Sequence, residues 1–172
     1  MRRVIILLLT QVLLWALLAE LNHGLSGWQV HVFGGALFVV YPALYLGRKE
    51  GLLVAAWAGL LCDAHSPVAF GTHGLLFAAA HLLLFRARER VPRHDPVSQI
   101  LVVLFTNLAL FLGLSLFRLL VAPAPGGAWG RLLPDLVASQ VTLALGAVWF
   151  LGLQDRLVRL GDVWAALRGH RD

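Results

Sequence analysis

Ionisable side chains are scarce in this sequence, and the few that fall within or at the ends of apolar runs are where chemistry would reside. They are Glu20, Asp63, His73, His81, Arg118 and Asp135. A charge in lipid is costly enough to make each a candidate functional group. Asp63, His65 and His73 are of the types that ligate zinc and other transition metals, and His23 and His31 fall on the same expected side. Their spacing is not that of a helix-borne zinc site, so neither a metal nor another cofactor is expected. Ser66 and Ser139 have no local base to activate them, and Gly34-Gly35 follows no strand and falls within an expected helix rather than a phosphate loop. No catalytic residue is assigned. The expected roles are structural or partner-organising: Arg118 can pair with Glu20, Asp63 or Asp135, or each charge can reach water at a helix end. Asp63 closes a short apolar segment. It should cap the next helix through the backbone N–H groups near Phe70–His73, or pair with Arg118.

The elements that position these residues are read from the apolar runs. Of 172 residues, 59% are hydrophobic and 13% charged, with mean hydropathy +0.79, which is far from a soluble domain. Six segments of helix are expected: Val4–Leu21, Trp28–Leu46, Gly51–Cys62, Val68–Phe85, Ile100–Val121 and Leu136–Leu153. Runs such as Leu7-Leu8-Leu9 lack the alternation of a barrel strand. The fold class is thus an all-α membrane protein with a six-helix transmembrane bundle at 1–154 and an amphipathic cytoplasmic tail at 155–172. The third segment is short for a bilayer. Met1-Arg2-Arg3 and Val4–Leu21 have the basic and apolar parts of a signal peptide without a small-residue cleavage site, so a retained helix is expected.

The net charge of +5 is distributed like that of a membrane protein, and no nucleic-acid partner is expected. Arg2, Arg3, Arg48, Lys49, Arg86, Arg88, Arg90, Arg93, Arg156, Arg159, Arg168 and Arg171 fall on one side of the expected helices, Arg118 and Arg131 on the other. Both termini are therefore expected in the cytoplasm. The Arg86–Ser98 connector, with Pro92 and Pro96, should be irregular, and Ala122–Gly127 is turn-rich. Cys62 alone excludes an intrachain disulfide and reads as a small apolar side chain.

Gly51, Ala55 and Gly59 recur every four residues, and Gly71, Gly74 and Ala78 lighten the fourth segment. Such stripes let helices approach closely in lipid, so the third helix is expected at the heart of the bundle, against the fourth. Gln11, Asn107, Ser139, Gln140 and Thr142 should supply interhelical hydrogen bonds or line a cavity. Beyond the sixth segment, Leu153, Leu157, Leu160, Trp164 and Leu167 define one helical face, for lipid head groups or a partner.

Gly59-Leu60-Leu61-Cys62-Asp63, followed after a short loop by Phe70-Gly71 and His73-Gly74-Leu75-Leu76, resembles the central motif of the rod shape-determining MreD family. Length, segment number, basic connector and short tail resemble that family over most of the chain, although Pro67 stands where a glycine is usual in the loop. The resemblance implies a non-catalytic inner-membrane subunit of the bacterial cell-elongation machinery, with MreC as partner and MreB, RodA and a transpeptidase in the wider complex. It also implies a fold similar to the substrate-binding subunits of ECF-type vitamin transporters. Such a subunit, taking a vitamin or metal ion, is the alternative function, but the alanines four apart that dock those subunits are absent: Ala16 and Ala19 are three apart. An enzyme is the third and least supported reading.

Overall fold

In the computed structural model, which describes residues 2–92, 95–121 and 129–168, the apolar runs form helices and no strand is present among those residues. The helices are α1 (Arg2–Leu25), α2 (Gly35–Tyr45), α3 (Arg48–Asp63), α4 (Thr72–Ala87), α5 (Pro96–Val121) and α6 (Trp129–Arg168), with short 3-10 turns at Ser26–Trp28 and Arg88–Arg90. Three are long and apolar enough to cross a membrane, over Arg2–Trp28, Pro96–Arg118 and Gly130–Val163. At about 1.5 Å per residue, α2 covers about 17 Å and α3 and α4 about 24 Å each, less than a hydrocarbon core of about 30 Å.

Successive helices alternate in direction. Contacts of His31 with Asp135, Phe33 with Ser139 and Asp63 with His73 gather the C-termini of α1 and α3 with the N-termini of α2, α4 and α6. At the opposite end Arg3 pairs with Asp162, Arg88 reaches the Leu46 carbonyl and Gln99 the Tyr45 hydroxyl. That end carries Arg2, Arg3, Arg48, Lys49, Arg86, Arg88 and Arg90.

The central element is α2, not α3. Every α2 residue from Gly35 to Leu44 is buried, whereas α3 leaves Leu53, Trp57 and Leu60 exposed. Burying α2 creates a backbone problem, because Pro42 has no N–H to give the Phe38 carbonyl one turn earlier. Gln11 of α1, itself fully buried, solves it: its Nε2 donates to the Phe38 oxygen at 3.0 Å. The small-residue stripe does let α3 lie against α4. A Cβ on Gly59 would stand 2.5 Å from the Gly74 Cα, and one on Gly51 would stand 2.6 Å from the Pro42 oxygen and meet the His81 ring.

Several boundaries differ from the sequence reading. The chain from Gln29 to Gly34 is non-helical, entered through Gln29 in the left-handed region at φ 56°, and α2 starts only at Gly35. Helix α4 begins at Thr72, not Val68, because Gly71 adopts φ +96° and breaks the preceding turn. A Cβ there would meet nothing within 4 Å, so Gly71 serves backbone conformation rather than packing. The connector after α4 is shorter than Arg86–Ser98, since α4 runs to Ala87 and α5 starts at Pro96. Asp95 caps α5 by accepting from the Ser98 amide and hydroxyl, and proline suits the first helical position. Helix α6 continues unbroken across residues 154 and 155. Its inward row there is Leu151, Gln154, Val158 and Gly161, while Leu160 is exposed; Gly161 lets Ile6 of α1 approach. The Ala122–Gly127 turn, Arg93, Arg171 and the side chains of Trp164, Leu167 and Arg168 lie outside the described residues.

Candidate functional site

Asp63 ends α3 beneath the loop that leads to α4, and its side chain is fully buried. Oδ1 accepts from the His73 amide at 2.9 Å and from His73 Nδ1 at 2.7 Å. Oδ2 accepts from the amides of Gly71 at 3.0 Å and Gly74 at 3.1 Å. One carboxylate thus satisfies three N–H groups at the start of α4, which have no partner within the helix, and fixes the His73 ring with its proton on Nδ1. The capping role expected from the sequence is the arrangement found, and the alternative pairing with Arg118 is not. Gly59 makes the geometry attainable by bringing the α3 backbone onto Gly74.

The non-helical stretch Gln29–Gly34 forms the neighbouring wall. Its backbone groups take side-chain partners in place of helical ones. Asn22 of α1 pairs with Val32 as a strand would, donating to its carbonyl at 3.0 Å and accepting from its amide at 2.7 Å. From α6, Asp135 Oδ1 accepts the His31 amide at 2.8 Å and Ser139 Oγ accepts the Phe33 amide at 2.8 Å. Ala36 at the start of α2 points its amide at Asn107 Oδ1, 3.4 Å away.

Between this stretch, α1 and the α3–α4 loop lies a cavity of about 290 Å³. Its polar lining is Asn22, His31, His65, Ser66, His73 and Arg118, and its apolar lining includes Trp15, Leu18, Phe33, Phe38 and Pro67. Trp15 packs on the His65 ring at 4.3 Å between centroids.

The ionisable residues singled out from the sequence therefore divide. Asp63 and His73 meet directly, and Asp135 meets the backbone of His31. Arg118, on the last turns of α5, is exposed and lines the cavity without a hydrogen bond or ion pair among the described residues. Glu20 is exposed on α1 and is paired neither with Arg118 nor with another described residue. His81 lies apart, fully buried, with Nε2 3.3 Å from the Arg48 carbonyl. Among the described residues no three His, Cys, Asp or Glu side chains converge as a metal set. Sequence reasoning missed Asn22. Its signal was modest: an amide side chain at the end of an apolar helix, followed by a chain containing Gly34-Gly35 that must turn back into the bundle. Ser139 and Asn107 were expected to make interhelical hydrogen bonds or line a cavity; Asn107 does join α5 to α2 at Ala36, and Ser139 takes the Phe33 amide just before α2 begins. No family model matches the chain, and no match is found among curated proteins or solved structures.

Proposed function

We propose that the chain is a non-catalytic, multi-pass subunit of the bacterial inner membrane that holds a partner protein, in the manner of the MreD proteins its central motif resembles. On this reading its partner is MreC, and MreB, RodA and a transpeptidase belong to the wider assembly that organises peptidoglycan synthesis. The observation that carries the reading is the clasp made by Asp63. The carboxylate that a membrane enzyme would keep free for proton transfer is bonded on both oxygens, and all four bonds go to shaping one loop and one helix start. A residue used that way builds a surface. The proposed topology has six crossings with both termini in the cytoplasm. It is supported by the alternation of the helices and by the cluster of arginines at the end opposite Asp63. The short α2 would then be sheltered by the helices around it, while α3 and α4 turn Leu53, Trp57, Leu75 and Leu83 outward to lipid.

The test is affinity purification of the full chain from its native membrane, with mass spectrometry of what accompanies it. MreC is the expected companion, and Asp63→Leu should lose it. Undiminished MreC recovery with Asp63→Leu would remove the role given to the clasp. The cavity favours a second reading, an ECF-type substrate-binding subunit. A vitamin retained by the purified protein, or a transporter's energising subunits among its companions, would put that reading first.

A further inference from the structure

We infer that the cavity beside the Asp63 clasp binds an amphipathic anion: a phosphate or carboxylate head carried on an apolar body. The sign comes from the lining. Among the described residues nothing neutralises the permanent positive charge of Arg118, and none of those that line the space carries a carboxylate. The two acidic residues behind the wall are engaged with it: Asp63 holds His73, and Asp135 holds the His31 amide. His73 is nine-tenths buried or more, and Asp63 takes its Nδ1 proton, so Nε2 is the ring nitrogen left for a ligand. His31, His65, Ser66 and Asn22 add further polar groups around the same space.

The apolar half comes from Trp15, Leu18, Phe33 and Phe38. A volume of about 290 Å³ is at the small end for small-molecule sites, enough for a head group and the first part of an apolar body. The wall is also rigid in the way a binding site requires. Asn22, Asp135 and Ser139 fix the Gln29–Gly34 stretch on one side, and the four bonds of Asp63 fix the other. The inference rests on neither functional reading, because a partner-holding subunit can carry a bound lipid as readily as a substrate-binding subunit carries its cargo.

The experiment is calorimetric titration of the full chain in an uncharged maltoside detergent with three probes: oleoyl-lysophosphatidate, phenyl phosphate and the uncharged monoolein. At least one of the two phosphates should bind and monoolein should not. Binding of lysophosphatidate alone marks a lipid source, and binding of phenyl phosphate marks a soluble one. Arg118→Ala should weaken the phosphate at least about tenfold, the effect of one lost charge-assisted contact of about 1.4 kcal/mol. Arg118→Lys should stay within about threefold of the parent, since lysine keeps the charge and binds phosphate as a point charge. Without ligand the melting temperature of both variants should match the parent's, because Arg118 has no hydrogen-bonded or ionic partner to lose among the described residues. Failure of both phosphates to bind, equal binding of monoolein, or undiminished binding by Arg118→Ala overturns the inference. None of these outcomes bears on MreC recovery.

Discussion

Replacing Asp63 by leucine tests the clasp most directly, and its cost can be worked from the bonds it removes. The amides of Gly71, His73 and Gly74 and the Nδ1–H of His73 all lose their acceptor in a place where the Asp63 side chain had no contact with solvent. A buried donor left without a partner costs about 1–3 kcal/mol, so the four donors set an upper bound of about 12 kcal/mol. Helix-start amides close to a loop recover part of this from water, and ordinary cap losses run about 0.5–2 kcal/mol. The expected net loss is about 3–5 kcal/mol, the upper part of the range for single substitutions, as breaking a buried hydrogen-bond network gives. Asp63→Asn keeps one oxygen for His73 but turns its NH2 toward the Gly71 and Gly74 amides, so it should lose about half as much, roughly 2 kcal/mol. Unfolding in mixed micelles, followed by circular dichroism, reads both values. An Asp63→Leu protein within about 0.5 kcal/mol of the parent, the range of an ordinary surface substitution, would show that the four bonds do not hold the loop.

Four other outcomes are expected. Gly59→Leu should prevent the protein from accumulating, because the new Cβ alone meets the α4 backbone at 2.5 Å, whereas Leu60→Ala trims a partly exposed side chain and should be recovered at nearly parental yield in detergent extracts. Gln11→Leu should cost about 1–3 kcal/mol by orphaning the Phe38 carbonyl, and less in a Pro42→Ala background, where residue 42 regains an N–H for that oxygen; equal cost in both backgrounds would contradict the pairing. Single cysteines at Ala64 and Arg90, in a chain lacking Cys62, should react with an impermeant thiol reagent from opposite faces of the membrane, and labelling from one face would refute the proposed topology. The Ser98 hydroxyl and amide hold the Asp95 carboxyl below its ordinary value of 3.8, so the cap on α5 is complete above that pH and is lost as pH falls through the lowered value; carbon-detected NMR titration should show the depression, and Ser98→Ala should relieve part of it.

What the sequence discloses about this bundle depends on how far apart the interacting groups lie along the chain. The Asp63 clasp is legible because all of its donors come from residues 71–74, one short loop away. An acid at the end of a truncated helix, with glycines at 71 and 74, has few other ways to satisfy those amides. The start of α5 is equally local, and Asp95-Pro96-Val97-Ser98 is a capping sequence that yields to the expectation of an irregular loop only if Pro96 is read as a breaker rather than a first helical residue. The Gln29–Gly34 stretch is different. Trp28–Leu46 is apolar with no helical or alternating period to separate its two halves, and what holds the first half out of a helix is Asp135 and Ser139, more than 100 residues away. The α6 register fails for the same reason, since its inward row beyond Leu151 is selected by Ile6 and Arg3 of α1 and not by its own leucines. Gln11 unites both cases. Its amide matters because Pro42, four residues after Phe38, leaves a carbonyl without its helical donor, and that need is visible in the sequence. Which side chain meets it is decided only when α1 lies across α2.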